Sequence, residues 1–399
     1  MHETRRRPAQ AIPPRTSRPL SKYRHRRQTS QYQNPHERKV ITHILKLVQT
    51  VPDFDPTPLL DAFRASHLST LLTAAIGYFD IGRILAPEPH SFDRLRKALN
   101  LADRPAIVLF SALRAAGLIE VHGQQISLTA FGREKLDPQS PFCLAGYIGL
   151  GVYSADARNM IECLRRDHPA GEVSFVYHDD AGPSVLDDEE TAGVLTRAMA
   201  DRARNVAPLL ANQLDLSESR LLLDAGGGHG LYSFHLLQRF PALKAVILDR
   251  APALAVAKEY AAAMGVTNRV EFVKANIHSH PLTWDYDAVL MANILHDYSA
   301  PIAAKLVQHF AAGLAPNGRL MILDGLMDSV AEGDAPVAPG PPELAAYSGL
   351  LFSMCEGRCY RFDEAETWLR DANLTIQPNR ITLPAHGSVI TGRPTTRLS

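Results

Sequence analysis

The sequence predicts an α/β protein: a Rossmann-like domain in the C-terminal half, preceded by a mostly α-helical domain that closes in a winged helix. Three observations carry this. Apolar runs near 220–224, 244–249, 270–273, 286–291 and 319–324 mostly alternate with helical periodicity, the pattern of parallel strands joined by crossover helices. A glycine-rich turn, Asp224-Ala225-Gly226-Gly227-Gly228-His229-Gly230, follows the first of these runs and precedes a helical pattern starting near Leu231. Well upstream, two short helical patterns lead into a small hairpin, Gly117 to Gly123 and Gln125 to Thr129.

Taken in order, residues 1–40 hold 11 of the chain's 42 Lys and Arg but only 2 of its 42 acidic residues. The remainder is therefore acidic. This basic stretch lacks apolar periodicity and reads as a disordered tail, more an extension than a working element. From Pro58 to Leu85 apolar residues are too dense for one exposed face, so part of this helical segment is expected to meet a second subunit. Helices over Ser91–Leu99 and Asp103–Ala116 complete the winged helix. Arg104 and Arg114 are the only bases on its would-be recognition helix, too few for the phosphate and base contacts of a DNA face. Nucleic acid is not the expected partner.

Residues 141–215 read as a helical linker, in which Asp187 to Glu190 start a helix running through Met199 to Leu210. The expected division is thus a tail at 1–40, a winged-helix domain at 41–140, the linker at 141–215 and the Rossmann-like domain at 216–399. After Asn373 two further runs suggest a hairpin on the sheet edge. No apolar run is long enough to span a bilayer, and Cys143, Cys163, Cys355 and Cys359 have neither metal-finger spacing nor a preceding signal-peptide pattern. They read as free thiols of a cytoplasmic protein. His278 and His280 have ligand-capable spacing but no evident third ligand, so no metal is expected.

The glycine turn holds the first functional clue. Counted from Gly226 and Gly228, a dinucleotide fingerprint would place its third glycine at Leu231; the glycine comes one position early, at Gly230. The next strand pattern, Ala245 to Asp249, ends in an acid suited to gripping ribose hydroxyls. Together these look like an S-adenosylmethionine site.

Further motifs follow in a set order: Arg269 to Ile277, Leu290 to Tyr298 with its His296-Asp297 pair, Ala315-Pro316-Asn317-Gly318-Arg319, and a helix from Tyr360 to Leu369. With the glycine turn and Asp249, they resemble the small-molecule O-methyltransferases of the plant caffeic-acid type and their bacterial relatives, over residues 57 to 392. The resemblance implies a class I methyltransferase domain behind a winged-helix dimerisation domain, hence a homodimer acting on a hydroxylated small molecule. It also implies that Asp224, Gly226 and Gly228 serve the methionine part of S-adenosylmethionine, Asp249 its ribose, and Asn276 with Ile277 its adenine. His296 would be the general base, oriented by Asp324.

The sequence departs from that pattern in places. Asp324 shortens the usual glutamate, Cys359 stands where a second orienting carboxylate is usual, Asn276 replaces an aspartate, Arg250 an apolar residue, and His229 is unusual in the turn. Tyr347, Phe352 and Met354 are candidates to line an acceptor pocket, with core packing equally open to them. Cys359 motivates an alternative, a same-fold enzyme that uses the cofactor for decarboxylation or rearrangement. The basic tail motivates another, a winged-helix regulator with a degenerate methyltransferase domain.

Overall fold

The computed structural model describes residues 51–170, 188–282 and 285–395, all within the unit Leu47–Ser399. The basic tail, Asp187 and the last four residues lie outside the described residues. Helix α1 (Thr57–Thr73) passes through one π-helical turn, Ala74–Tyr78, into α2 (Ile81–Leu85). The expected helix, helix, hairpin order follows as α3 (Phe92–Ala98), α4 (Asp103–Ala115), β2 (Ile119–His122) and β3 (Gln125–Leu128), with the short β1 (His90–Ser91) pairing antiparallel to β3. Ser91 caps α3 by accepting the Arg94 N–H. In α4, Val108, Leu109, Ala112 and Leu113 are buried, the apolar stripe of a half-embedded helix.

The intervening segment forms α5 (Ala130–Leu136), α6 (Ala145–Gly149), α7 (Ala155–Arg166), α8 (Glu189–Arg204) and α9 (Ala207–Gln213). Where the sequence suggested one helix through Met199 to Leu210, the chain breaks at Asn205 and Val206. Pro208, which lacks a backbone donor, starts the second helix within its first turn. Asp188 caps α8 by accepting the Thr191 N–H at 2.8 Å.

The five expected strands are β4 (Leu221–Ala225), β5 (Lys244–Asp249), β6 (Val270–Lys274), β7 (Tyr286–Ala292) and β8 (Leu314–Gly325). Helices α10 (Leu231–Arg239), α11 (Ala251–Ala263) and α12 (Ala300–Ala311) connect them. Strand β8 starts earlier than the periodicity implied: the Ala315 to Gly318 turn is carried within it, and the register against β7 jumps between Tyr286 and Ala288. Helices α13 (Pro342–Met354) and α14 (Phe362–Asp371) precede β9 (Leu374–Ile376), β10 (Ile381–Leu383) and β11 (Gly387–Pro394). The expected terminal hairpin is thus β10 and β11, with β9 as an additional pairing strand; the sheet order is β10-β11-β8-β7-β4-β5-β6.

Strands β4 to β8 are parallel to their neighbours among themselves, and β11 is antiparallel to β8. The chain builds outward from β4 to β6, then returns to place β7 on the other side of β4. That reversal opens a crevice at the carboxyl ends of β4 and β7, where open α/β sheets bind ligands. The two halves also share a hydrophobic core. Tyr347, Leu351, Phe352, Cys355 and Cys359 belong to the core of the N-terminal helices, and α13 approaches α1 so closely that a Cβ on Gly349 would sit 2.8 Å from Leu71.

Candidate active site

The glycine turn sits at the end of β4, as its sequence requires. Gly226, Gly228 and Gly230 have φ of 69°, 54° and 73°, a left-handed conformation that costs little only for glycine. Space reinforces this: a Cβ on Gly230 would meet the Phe234 ring at 2.3 Å, and one on Gly226 would meet Ile294 at 2.9 Å. The backbone therefore lines the crevice without side chains. Beside it, Asp224 is buried and accepts the Ser233 hydroxyl at 2.6 Å through Oδ2, while its Oδ1 is buried with no partner. Burial foremost, with a push from nearby Asp249, raises this carboxyl to about 7 against the Ser233 bond. An orphaned acceptor beside a cradle of bare backbone fits a ligand's ammonium group.

Asp249, at the end of β5, is tied to that turn: its Oδ2 accepts the Gly228 N–H at 2.7 Å and its Oδ1 the Arg250 N–H at 2.6 Å. Burial raises its carboxyl despite those bonds. Each oxygen keeps a lone pair for a ligand hydroxyl. Asn276 is exposed past β6 and accepts the His278 N–H on Oδ1; Ile277 is buried in the sheet core. His229, odd in the sequence, accepts the Leu231 N–H on Nδ1 at 3.1 Å and so caps the start of α10. Burial foremost, then Arg204 and Arg202, holds its ring down to about 3, so it stays neutral with the hydrogen on Nε2.

His296 lies, buried, in the single turn Leu295–Asp297 that follows β7, the strand beside β4. Its Nδ1 stands 2.5 Å from Asp324 Oδ1, and its backbone N–H donates to Asp324 Oδ2. Asp324, near the end of β8, thus grips ring and backbone together. A carboxylate only accepts, so Nδ1 carries the hydrogen and Nε2 is left as the basic nitrogen. Burial alone would push the ring down, but Asp324 and Asp297 outweigh it and the pKa is raised. The absence of a carboxylate at Cys359 therefore leaves the histidine oriented. Cys359 is fully buried, and Gly357 is required because a Cβ there would collide with the His296 carbonyl at 2.0 Å.

Two arginines of this centre, Arg64 and Arg202, were not singled out from the sequence. Asp297 Oδ1 lies 3.6 Å from His296 Nε2, and burial pushes its carboxyl up to about 6. Tyr347 places its ring 5.9 Å from that of His296, edge to face, and is flanked by Arg64 from α1 and Arg202 from α8. Arg64 could have been found: with Leu60, Leu68 and Leu71 it falls on one helical face, a charge on an apolar stripe. Of the other acceptor-pocket candidates, Phe352 is buried in the N-terminal core and Met354 is half-buried at the end of α13. His278 is half-buried with its ring against Tyr298, because the aromatic edge offers it an apolar seat. Among the described residues no three potential metal ligands gather.

A cavity of about 1010 Å³ opens elsewhere, lined by Arg104, Tyr298, Lys305, His309 and Arg358, and includes neither His296 nor the glycine turn. The two bases of α4 also turn inward. Arg104 binds Asp167 and the carbonyls of Cys355 and Gly357, and Arg114 binds the Val337 carbonyl, which removes both from any DNA face.

Comparison with known proteins supplies the family. An O-methyltransferase family 2 protein from Planctomyces limnophilus, crystallised with apigenin, is 34% identical, with 87% of this chain and 98% of that chain covered and a TM-score of 0.77. The chain belongs to that O-methyltransferase family. The family's O-methyltransferase domain profile matches residues 170–338 of this methyltransferase. A 3-hydroxy-5-methyl-1-naphthoate 3-O-methyltransferase from Streptomyces sahachiroi is 28% identical over 342 residues, 84% of this chain and 95% of the relative. Human N-acetylserotonin methyltransferase, solved with S-adenosylmethionine, shares the fold at 15% identity, with a TM-score of 0.51 and 92% and 100% of the two chains covered. The protein is an S-adenosylmethionine-dependent O-methyltransferase of the class I fold, acting on small molecules. No helix among its described residues is long and apolar enough to cross a membrane.

Proposed function

We propose that the enzyme methylates a hydroxyl of an aromatic small molecule, with His296 as the general base. The observation that carries this is the Asp324 to His296 contact at 2.5 Å, which leaves Nε2 basic at the crevice mouth. Asp224, Gly226 and Gly228 would hold the methionine part of S-adenosylmethionine, Asp249 its ribose, and Asn276 and Ile277 its adenine. The bound cofactor supplies a methyl group already activated on a sulfonium. The chain's own work is then alignment of the acceptor and removal of one proton, from the acceptor hydroxyl to His296 Nε2. Asp324 stabilises the imidazolium that results, and Asp297 faces the same nitrogen from the other side. The names of the relatives support an aromatic acceptor, since apigenin and a hydroxynaphthoate are both phenols.

The retained Asp324 contact favours methyl transfer over the decarboxylase or rearrangement alternative, and the inward-turned arginines count against the regulator. Homodimerisation through a winged-helix domain fits the apolar face left by Leu59 and Phe63 on α1 with Tyr147, Leu150 and Tyr153, of which Tyr147 is 78% exposed. The buried thiols fit a reducing cytoplasm. Incubation with S-adenosylmethionine and a panel of phenols, read by mass spectrometry, tests the reading. It expects S-adenosylhomocysteine in step with a product heavier by one methylene. Cofactor consumption with an acceptor that loses carbon dioxide or isomerises would replace it.

A further inference from the structure

We propose that Arg64 and Arg202 form an anion clamp and that the acceptor is a hydroxyaromatic carboxylate, seated with its carboxylate on the two guanidinium groups and its hydroxyl toward His296. This rests on the O-methyltransferase reading for the reaction, though not for the binding.

The argument begins with how this protein treats its other buried arginines. Arg358 is paired with Glu364 at 2.5 Å, Arg361 with Asp363 at 2.9 Å, and Arg104 with Asp167 at 2.7 Å. A guanidinium removed from water requires such a counter-charge. Arg64 is only 3% exposed and makes no ion pair among the described residues; its Nη1 is buried without a hydrogen-bond partner. What holds it is the Tyr347 ring, 3.9 Å beneath the guanidinium. The acid one turn earlier on its helix, Asp61, is committed to His386 at 2.9 Å.

Arg202 repeats the pattern from the other side. It donates to the Tyr347 hydroxyl at 3.0 Å, and its Nε is buried and unpartnered. It too makes no ion pair among the described residues. Two like charges are thus brought to one tyrosine with donors left over; Asp324 steadies Arg202 without pairing with it, and a ligand anion would engage the free donors of both. The location tells which anion. Tyr347 abuts the His296 ring, so the clamp and the base are neighbours. Arg202 also lies near His229 and Tyr232 at the glycine turn, whereas Arg64 comes from α1 and Tyr347 from α13, so the clamp stands between that turn and the N-terminal helices, and Arg64 assigns it to the acceptor. A planar carboxylate on an aromatic frame satisfies both forks and gives the hydroxyl a fixed reach to Nε2.

The test compares hydroxynaphthoic and hydroxybenzoic acids with their methyl esters and carboxamides. Binding is measured by calorimetry on protein saturated with S-adenosylhomocysteine, so that it does not depend on turnover. The acid of at least one ring type should bind roughly 10- to 100-fold tighter than its ester, the scale of a charge-assisted contact. In Arg64→Met and in Arg202→Met that ratio should collapse to less than about threefold, with Arg64→Lys intermediate. Equal binding of acids and esters by the wild-type protein overturns the proposal, and that comparison stands even if a variant fails to fold. A ratio that survives Arg64→Met also overturns it. So does a loss of S-adenosylhomocysteine affinity as large as the loss for the acid, since the arginines would then serve the cofactor. Acids that bind through the clamp but are never methylated would leave the clamp standing and fail the reading of the reaction. Methylation of neutral phenols alone would do the reverse.

Discussion

The turn proposed to hold the cofactor and the wall proposed to hold the acceptor are made differently. The first is backbone from one short stretch: three left-handed glycines, an acid with an orphaned oxygen and a histidine that serves as a helix cap. The second is side chains from distant elements, with Arg64, Arg202, His296, Asp324 and Tyr347 each supplied by a different part of the chain. A site of bare backbone is rigid and generic. A site of converging side chains can change its ligand without disturbing the fold, which suits a shared donor and an individual acceptor.

The contrast can be broken most forcefully at Gly230. Gly230→Ala forces a Cβ into the Phe234 ring and into a left-handed φ, and is expected to cost about 2–4 kcal/mol, measured by urea unfolding, with loss of cofactor binding. Asp324→Asn should leave the crevice intact while removing the charge that fixes the histidine tautomer. The expected result is a fall in kcat of roughly 10²- to 10³-fold with little change in S-adenosylhomocysteine affinity by calorimetry.

Asp224→Asn should act on both stability and ligand. Its carboxyl titrates near 7 in the fold against an ordinary value of 3.8, so the native state holds a proton that the unfolded chain has released. Stability from this group is therefore lost as pH rises from about 4 through 7. The asparagine variant should lack that loss and melt higher than the wild type at pH 8 without ligand, yet bind S-adenosylhomocysteine roughly 10-fold more weakly. The smallest effect is on the pH profile. Because His296 is raised above its ordinary 6.5, the wild-type rate should fall on the acid side with a midpoint above 6.5, and Asp324→Asn should move that midpoint downward.

The same contrast explains what the sequence makes legible. Strands β4 to β8, the glycine turn and Asp249 are visible because their signals are local: apolar runs, glycine spacing, an acid at a strand end. The His296 and Asp324 assignment rested on resemblance, and the contact between them arises only when β7 and β8 pair in register. Arg202 gave no signal, since a half-buried arginine on an amphipathic helix looks like any solvated one. Arg64 gave a weak one on its apolar stripe. The break at Asn205 was hidden because Pro208 is also a helix starter, and nothing local distinguishes a break from a continuation.

The central claim is that His296 removes the acceptor proton. It is tested most directly by single-turnover methyl transfer in His296→Ala at saturating S-adenosylmethionine, with S-adenosylhomocysteine affinity measured on the same protein. The account predicts a rate lowered by about 10²-fold or more with cofactor affinity retained; a rate equal to that of the wild-type enzyme would contradict it.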